Sequence, residues 1–384
     1  MVRHRIILTG GGTGGHVYPA MSVHEQLKTD PDVEAILYIG VRNHLEERLC
    51  QERGIEFVGL QISGLPRKLS PALIAWPFKT LSAILEARKV VSLFRPTAVL
   101  GTGGYAAAPP LAAAIWNHIP YAVHEPDAHP GLVNKLFSRW ASLCSLGMEG
   151  AESVFKDVRG RVAVNGNPVA SAFVSQRSRD AACAVLGLRH DLKTVLITGG
   201  SQGAQAINEA VIAALPSLLD IDPPIQIVHQ AGEKNLADIK ERVDQSLLLN
   251  PRYHLRAYFD DLALAYAVCD LTVCRAGAMT ISELAVTGTP AIFIPYPFAA
   301  QNHQMHNARF VESRGAAIVL PQGQLTPESL TSIIKSLLSD ADKLKLMREA
   351  MHALGKPHAA RDLAEQLKQL SAGNQPTLVS AQGH

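Results

Sequence analysis

Several things are scarce or missing in this 384-residue chain, and each absence narrows what it does. No apolar run approaches the ~18 residues of a membrane-spanning helix; the best stretch, 106–116, is short and holds Pro109-Pro110. The chain passes from Met1-Val2-Arg3-His4-Arg5 straight into an apolar strand, with no room for the apolar core of a signal peptide. These two absences predict a soluble or peripheral protein of the cytoplasm. Cysteines number five, an odd count, with no C-x-x-C spacing, so buried free thiols in a reducing compartment are expected. Neither sign of charge dominates: a net charge of +2 argues against a nucleic-acid partner held by bulk electrostatics. There is no H-E-x-x-H pattern, and no metal or other cofactor is called for.

What is present is a two-domain length and a large apolar fraction, 47% against 18% charged, enough for sizeable cores. The organising stretch is Ile6-Ile7-Leu8-Thr9-Gly10-Gly11-Gly12-Thr13-Gly14-Gly15-His16, followed by a helical pattern over 20–28. An apolar strand runs into a glycine turn and a helix start, the arrangement that offers unpaired N–H groups to a phosphate. Gly10, Gly12 and Gly15 satisfy the dinucleotide fingerprint, yet the second strand, 35–40, ends in Val41-Arg42-Asn43 without the carboxylate a nicotinamide ribose requires. His16 stands where a neutral imidazole could take a proton from an attacking hydroxyl.

Strand patterns at 6–8, 35–39, 98–100 and 121–123 alternate with helical ones such as 45–53, which predicts a parallel sheet covered on both faces. A second glycine turn, 101–105, follows the strand ending at Leu100. The segment 161–169 reads as a crossover, after which the scheme restarts. Residues 194–197 form a strand, 198–204 a glycine turn and 205–215 a helix; strands at 225–229, 271–274 and 291–294 follow, with helices at 262–268, 280–287, 326–338 and 340–354. The expected fold class is α/β, two Rossmann-like doubly wound domains facing each other across a cleft.

Three further constellations carry chemistry. His124-Glu125 closes a strand; adjacent residues on a strand face opposite ways, so a polar contact to a sugar or a loop is favoured over a metal. Cys274-Arg275-Ala276-Gly277 leads into a helix with Glu283 in its first turn, where a carboxylate can hold two ribose hydroxyls. The segment Gln301-Asn302-His303-Gln304 with Asn307 is rich in amides, which both donate and accept, as sugar hydroxyls demand. Apart from these, 67–89 sets Leu73, Ile74, Trp76, Phe78 and Leu81 among Arg67, Lys68, Lys79, Arg88 and Lys89: an amphipathic helix packed on the sheet, or an interfacial patch meeting anionic lipid.

Gly11 to His16 with Pro19-Ala20, Gly103-Gly104-Tyr105, His124-Glu125, Gly166-Asn167-Pro168-Val169, the run from Gly199 to Ala204, Cys274-Arg275 with Gly277, Ser282-Glu283, and His303-Gln304 with Asn307-Ala308 occur in the order found in the MurG family, which the chain resembles from about Arg5 to about Leu367. The resemblance implies a GT-B glycosyltransferase of peptidoglycan synthesis that moves GlcNAc from UDP-GlcNAc, with inversion, to the 4-hydroxyl of MurNAc in undecaprenyl-pyrophosphoryl-MurNAc-pentapeptide (lipid I), giving lipid II and UDP. It implies an acceptor-binding, membrane-associated domain over 1–165 and a donor domain over 166–370 whose last helix returns to the first, while the polar, glycine-containing stretch 371–384 reads as a flexible tail. His16 is then the base. Thr13, Gly14, Gly15, Asp127, Ser201, Gln202, Phe259, Ala278, Met279, Thr280, Ile281, Ser282, Glu283 and Gln304 contact UDP-GlcNAc, with Phe259 beside uracil. Gly103, Gly104, Tyr105, His124 and Glu125 meet the acceptor. Leu73, Ile74, Trp76, Phe78, Leu81, Lys68 and Lys79 form the patch on the inner leaflet, at the cytoplasmic face of the cell membrane, and other proteins of wall synthesis and division are implied partners.

Two positions depart from the family pattern: Ala170 replaces an Arg after Gly-Asn-Pro-Val, and Asp127 replaces an Asn after His-Glu. Losing a cation and gaining a carboxylate near a diphosphate both predict weaker donor binding. The alternatives are a GT-B transferase with another lipid acceptor, or a nucleotide-sugar-binding protein without activity.

Overall fold

The computed structural model describes residues 3–65, 71–175, 177–200 and 202–373. The chain divides into two compact units, one made of the residues up to Ala170 together with those from Pro357 onward, the other of Ser171–Lys356.

The first unit is a seven-stranded sheet built from β1 (His4–Thr9), β2 (Val33–Val41), β3 (Phe57–Leu60), β4 (Ala98–Gly101), β5 (Tyr121–Glu125), β6 (Leu143–Leu146) and β7 (Arg161–Val164). The spatial order is β3-β2-β1-β4-β5-β6-β7 and every pairing is parallel. Its central strands carry apolar runs such as Ile6-Ile7-Leu8 and Ala98-Val99-Leu100 because both faces are covered there. Ile7 enters one core with Val99 and Val123, whereas Ile6 and Leu8 enter the opposite core with Leu100 and Ala122. That is the period-two alternation of a pleated strand. On the first face lie the helices Pro71–Phe94 and Ala108–Trp116, which supply Ala83, Ala87 and Leu111.

The opposite face is closed partly by a helix from the far end of the chain. Ala359–Gly373 packs Leu363, Ala364 and Leu367 against Ile6, Leu8 and Val17. Each buried leucine contributes roughly 1.5–3 kcal/mol. Lys368 pairs with Asp30 and Glu365, and Ser371 Oγ lies 2.6 Å from His4 Nδ1.

The second unit repeats the plan with β8 (Lys193–Thr198), β9 (Ile225–Gln230), β10 (Tyr253–Arg256), β11 (Leu271–Cys274), β12 (Ala291–Phe293) and β13 (Ala317–Val319). The order is β10-β9-β8-β11-β12-β13, again parallel throughout. In each sheet the strand order reverses beside the first strand, between β1 and β4 and between β8 and β11. Ligands of open α/β sheets bind beyond the carboxyl ends of strands at such a point.

Some local expectations are corrected. Arg161–Val164, read as crossover, is the edge strand β7, whose half-exposed Arg-Val-Ala-Val lacks a continuous apolar signature. The first helix is Gly14–Leu27 rather than 20–28: Thr13 is an extended N-cap and the two glycines fill the first turn despite their poor helix propensity. All five cysteines are buried and free, and burial pushes the Cys50 and Cys144 thiols up to about 12. Among the described residues no helix is long and apolar enough to cross a membrane.

Candidate active site

At the rim of the first sheet, the turns after β1 and β4 interlock. Gly11 N donates to the Gly103 carbonyl (3.3 Å), Thr102 N to the Thr9 carbonyl (2.8 Å), and Thr102 Oγ1 to the His16 carbonyl (2.6 Å). Gly104 has φ +74°, and a Cβ there would lie 2.0 Å from the Gly11 carbonyl oxygen, so only glycine closes this joint. Thr13 ends the turn in extended conformation, Gly14 and Gly15 open the helix, and Tyr105 begins a short helical turn.

The interlock also sets the state of His16. Its Nδ1 lies 3.0 Å from the Thr102 carbonyl oxygen, which can only accept. Nδ1 therefore carries a hydrogen, and in the neutral form of the ring the lone pair is on Nε2. A base at this position is in the tautomer that general-base catalysis requires.

His124 and Glu125, at the end of β5, are wholly buried and serve different networks. His124 Nε2 is 2.9 Å from Asn167 Oδ1 and Nδ1 is 3.1 Å from Ser145 Oγ. Burial lowers the imidazole to about 4, so it is neutral. Glu125 accepts from Asp127 N (3.0 Å), Gly131 N (2.9 Å) and Asn134 Nδ2 (3.0 Å). Burial nevertheless pushes this carboxyl up to about 7, with the Asp127 carboxylate adding to the rise and the three donors opposing it.

Asn134 also donates to the His124 carbonyl (2.8 Å), and its amide nitrogen would lie 3.0 Å from a Cβ at Gly103. It is a site residue that sequence reasoning missed, because a lone Asn in a six-residue helix follows no motif. Glu46 was missed as well. It is fully buried, its Oε1 takes the Val41 N–H (3.1 Å), and that oxygen would meet a Cβ at Gly11 at 2.2 Å.

The rim of the second sheet is packed at Gly203, where a Cβ would lie 2.1 Å from the Ala231 carbonyl oxygen, and open at Gly200. After β8 the turn is pinned by Gly203 N to the Gly200 carbonyl (3.0 Å). Gly200 has φ +85° but nothing within 4 Å of a Cβ placed on it. Ser201 lies outside the described residues, and Gln202 beside it is exposed. Buried Gln230 ties this turn to Phe259: its Nε2 donates to the Gly200 carbonyl (3.2 Å) while its Oε1 accepts from Phe259 N (3.2 Å). That link joins two predicted positions through a residue no motif marks. Phe259 is itself buried, with the Arg256 guanidinium 5.5 Å from its ring centre.

After β11, Gly277 is the N-cap of the helix Ala278–Thr287, which carries Met279, Thr280, Ile281 and Ser282 in its first turns. Glu283 falls in the second turn rather than the first, since the helix begins at Ala278. Burial pushes its carboxyl up to about 8, with the Tyr266 hydroxyl pulling the other way. Arg275 donates to the Ile294 carbonyl (2.9 Å) and to Gln322 Oε1 (2.7 Å), and its guanidinium sits 5.4 Å from the centre of the Tyr296 ring. Gln304 Oε1 accepts from Tyr296 N (2.9 Å), which fixes the amide with its Nε2 donors on the other side.

On the helix Pro71–Phe94 the proposed patch splits. Ile74 (76% exposed), Phe78 (74%) and Leu81 face solvent with Lys79, whereas Leu73 and Trp76 are half-buried and the Trp76 indole donates to the Ser63 carbonyl (3.1 Å). Arg67 and Lys68 lie outside the described residues.

Two parallel sheets of this order, each with glycine turns at its switch point, are the two Rossmann-like domains of the GT-B architecture of glycosyltransferases. The chain belongs to glycosyltransferase family 28: residues 6–144 match the family's N-terminal domain and residues 194–367 its C-terminal domain. It is 38% identical over 376 residues, covering 96% of this chain and all of its relative, to the UDP-N-acetylglucosamine--N-acetylmuramyl-(pentapeptide) pyrophosphoryl-undecaprenol N-acetylglucosamine transferase of Halothermothrix orenii. It is 40% identical over 358 residues, 92% of this chain and 96% of the relative, to the protein of that description from Desulfitobacterium hafniense. The crystal structure of Acinetobacter baumannii MurG superposes with a TM-score of 0.75 at 28% identity, covering 96% of this chain and 99% of that one.

Proposed function

We propose that this protein transfers GlcNAc from UDP-GlcNAc to the 4-hydroxyl of MurNAc in undecaprenyl-pyrophosphoryl-MurNAc-pentapeptide, releasing UDP and completing lipid II. The observation that carries this reading is near-full-length similarity to transferases described by that reaction. In a single displacement the acceptor oxygen bonds to C1 of GlcNAc as the bond from C1 to the UDP oxygen breaks, which inverts the anomeric centre. His16 Nε2 accepts the proton of the attacking hydroxyl, in keeping with the tautomer set by Thr102.

The first unit then holds the acceptor, with the β4 turn and the buried network around Glu125 and Asn134 shaping its sugar site, and Thr13, Gly14, Gly15 and Asp127 reaching the donor. The second unit holds the nucleotide. Phe259 lies beside uracil, Glu283 takes the ribose hydroxyls, Ser201 and Gln202 flank the diphosphate, the first turns of the helix Ala278–Thr287 line the nucleotide, and Gln304 directs its Nε2 donors to the GlcNAc hydroxyls. The departing UDP carries the developing charge, and backbone N–H groups at the glycine turn and helix start are suited to stabilise it.

The test is incubation of the purified protein with labelled UDP-GlcNAc and a lipid I analogue. Labelled disaccharide lipid is expected, and its absence, or preference for another lipid acceptor, would overturn the reading. His16→Ala should lower kcat by about 10²–10⁴-fold with UDP binding retained; near-normal kcat would place the base elsewhere.

Ile74, Phe78 and Leu81 with Lys79 support peripheral association with the cytoplasmic face of the membrane, an apolar cluster entering the interface and a cation meeting anionic headgroups. Because the Trp76 indole is tied inward, the informative variant is Ile74→Ser with Phe78→Ser. It should lose most co-sedimentation with anionic vesicles while keeping its melting temperature; unchanged sedimentation would return this surface to an ordinary helix face.

A further inference from the structure

One hydrogen-bonded chain in the first unit has no part in the mechanism above, and its polarity is fully determined. Asn167 Nδ2 donates to the Pro126 carbonyl (3.1 Å), so Asn167 Oδ1 faces His124 and must accept from Nε2–H (2.9 Å). His124 is neutral, and its one hydrogen is now spent. Nδ1 must therefore accept, and the only donor available from Ser145 is its hydroxyl (3.1 Å). With that hydrogen used, Ser145 Oγ accepts from Asn165 Nδ2 (3.0 Å). The second hydrogen of Asn165 Nδ2 goes to Gln366 Oε1 (2.9 Å), and Gln366 Nε2 returns a bond to Asn165 Oδ1 (3.0 Å). Reversing any one member leaves two donors or two acceptors face to face. Ser145 and His124 are wholly buried and Asn167 nearly so, which makes such a mismatch expensive.

The two ends of this chain are far apart in sequence and lie at informative places. Gln366 is on the helix Ala359–Gly373, which follows the second passage of the polypeptide between units, at 356/357. Asn165 and Asn167 immediately precede the first passage, at 170/171. The reciprocal amide pair thus fastens together the two segments through which the chain leaves and re-enters the first unit. At the other end, Asn167 holds the Pro126 carbonyl. The next residue, Asp127, donates its N–H to Glu125, and the His124 carbonyl receives Asn134.

We propose that Gln366 and Asn165 are positioning residues for the acceptor site, acting through Ser145 and His124 on the segment from Glu125 to Asp127. The inference rests on reading the end of β5 as the acceptor site. His124 on this account is a structural relay whose two ring nitrogens are both committed, and it takes no proton during turnover. Gln366 touches no substrate, and its effect is confined to how well the loop is held.

Gln366→Leu and Asn165→Leu keep shape while removing the amides. Each, in the full-length protein, should raise KM for a lipid I analogue by about five- to twentyfold and leave KM for UDP-GlcNAc within about twofold. The double variant should be no worse than Asn165→Leu alone, because that substitution already removes both bonds to Gln366 together with the one to Ser145. Ser145→Ala, a smaller change in the middle of the chain, should give the same split and serves if either leucine variant fails to show thermal stabilisation by UDP. An unchanged acceptor KM, a parallel rise in both KM values, or additive single effects would each overturn the proposal. Glu125→Ala separates the two levels. If it raises acceptor KM while Gln366→Leu does not, only the relay fails; if it leaves acceptor KM unaltered, the assignment of this rim to the acceptor fails and the relay with it.

Discussion

The two units share one topology and use it differently. In the first, the turns after β1 and β4 are bonded to each other through Gly11, Thr102 and Gly103, and the space behind them is filled by His16, Asn134 and the buried Glu46. In the second, the turn after β8 is just as tight at Gly203, where a Cβ would lie 2.1 Å from the Ala231 carbonyl oxygen, but it is open at Gly200, where a Cβ meets no described atom beyond its chain neighbours within 4 Å, and the rim is open again at Gly277, where Thr280 Oγ1 is 3.9 Å away. A crowded, cross-linked rim suits the fixed placement of a base and a hydroxyl, whose reaction depends on orientation. Open positions beside N–H groups, as at Gly200 and Gly277, suit a diphosphate that enters and leaves. The strand order that creates a switch point does not decide which of these results; the side chains packed behind the turns do.

The largest expected effect compares a glycine from each rim. Gly104→Ala drives a Cβ to 2.0 Å from the Gly11 carbonyl at a φ of +74°, so it must either break the joint or unfold it. A loss of about 3 kcal/mol or more is expected in urea denaturation, with activity abolished. Gly200→Ala suffers the same unfavourable φ, +85°, without the collision, and should lose only about 1 kcal/mol. Equal losses would mean that the second turn is packed as tightly at Gly200 as the first is at Gly104.

A smaller effect concerns the half-buried Glu283 carboxyl behind the second rim. Burial raises Glu283 from 4.5 to about 8, so the folded protein holds this proton more tightly than the unfolded chain. The associated stability is complete below about 4.5 and is lost as pH climbs through about 8. Glu283→Gln should therefore gain on the ligand-free parent as pH rises from 5 to 9, by about 1–3 kcal/mol, read as a difference in melting temperature. The same variant should weaken UDP by about ten- to a hundredfold if the carboxylate holds the ribose hydroxyls. A constant difference in melting temperature across that range would show that Glu283 titrates normally.

Much of this architecture is legible in the sequence, for a physical reason. Strands buried on both faces, such as β1, β2, β8 and β9, announce themselves as apolar runs, and glycine turns punctuate their carboxyl ends. The helices Leu45–Arg53 and Leu262–Val268 fall where periodicity places them. Illegible are β6 and the strands β3, β7, β10 and β13, which lie at the sheet edges where half-exposed residues interrupt the apolar run; equally short but central strands such as β4 and β11 are legible. Likewise, nothing local couples Asn165 to Gln366 or Gln230 to Phe259, since those bonds exist only once distant segments are packed. The tautomer of His16 is of the same kind: the sequence offers the imidazole, and only the fold brings the Thr102 carbonyl to Nδ1.

The finest distinction between the rims lies at Asp127, where the family pattern has Asn. Its carboxylate adds to the raised pKa of Glu125, but burial is the larger cause, and three donors already work against both. Asp127→Asn therefore removes the lesser contribution only. Glu125 should fall below about 7 while remaining above its ordinary value. Carbon-detected NMR titration of the glutamate side chains reads this shift directly. The substitution also removes a negative charge that opposes a diphosphate, so UDP-GlcNAc should bind severalfold more tightly if Asp127 reaches the donor. A carboxyl at 125 that drops to its ordinary value on Asp127→Asn would show like-charge repulsion, rather than burial, in control of the first rim.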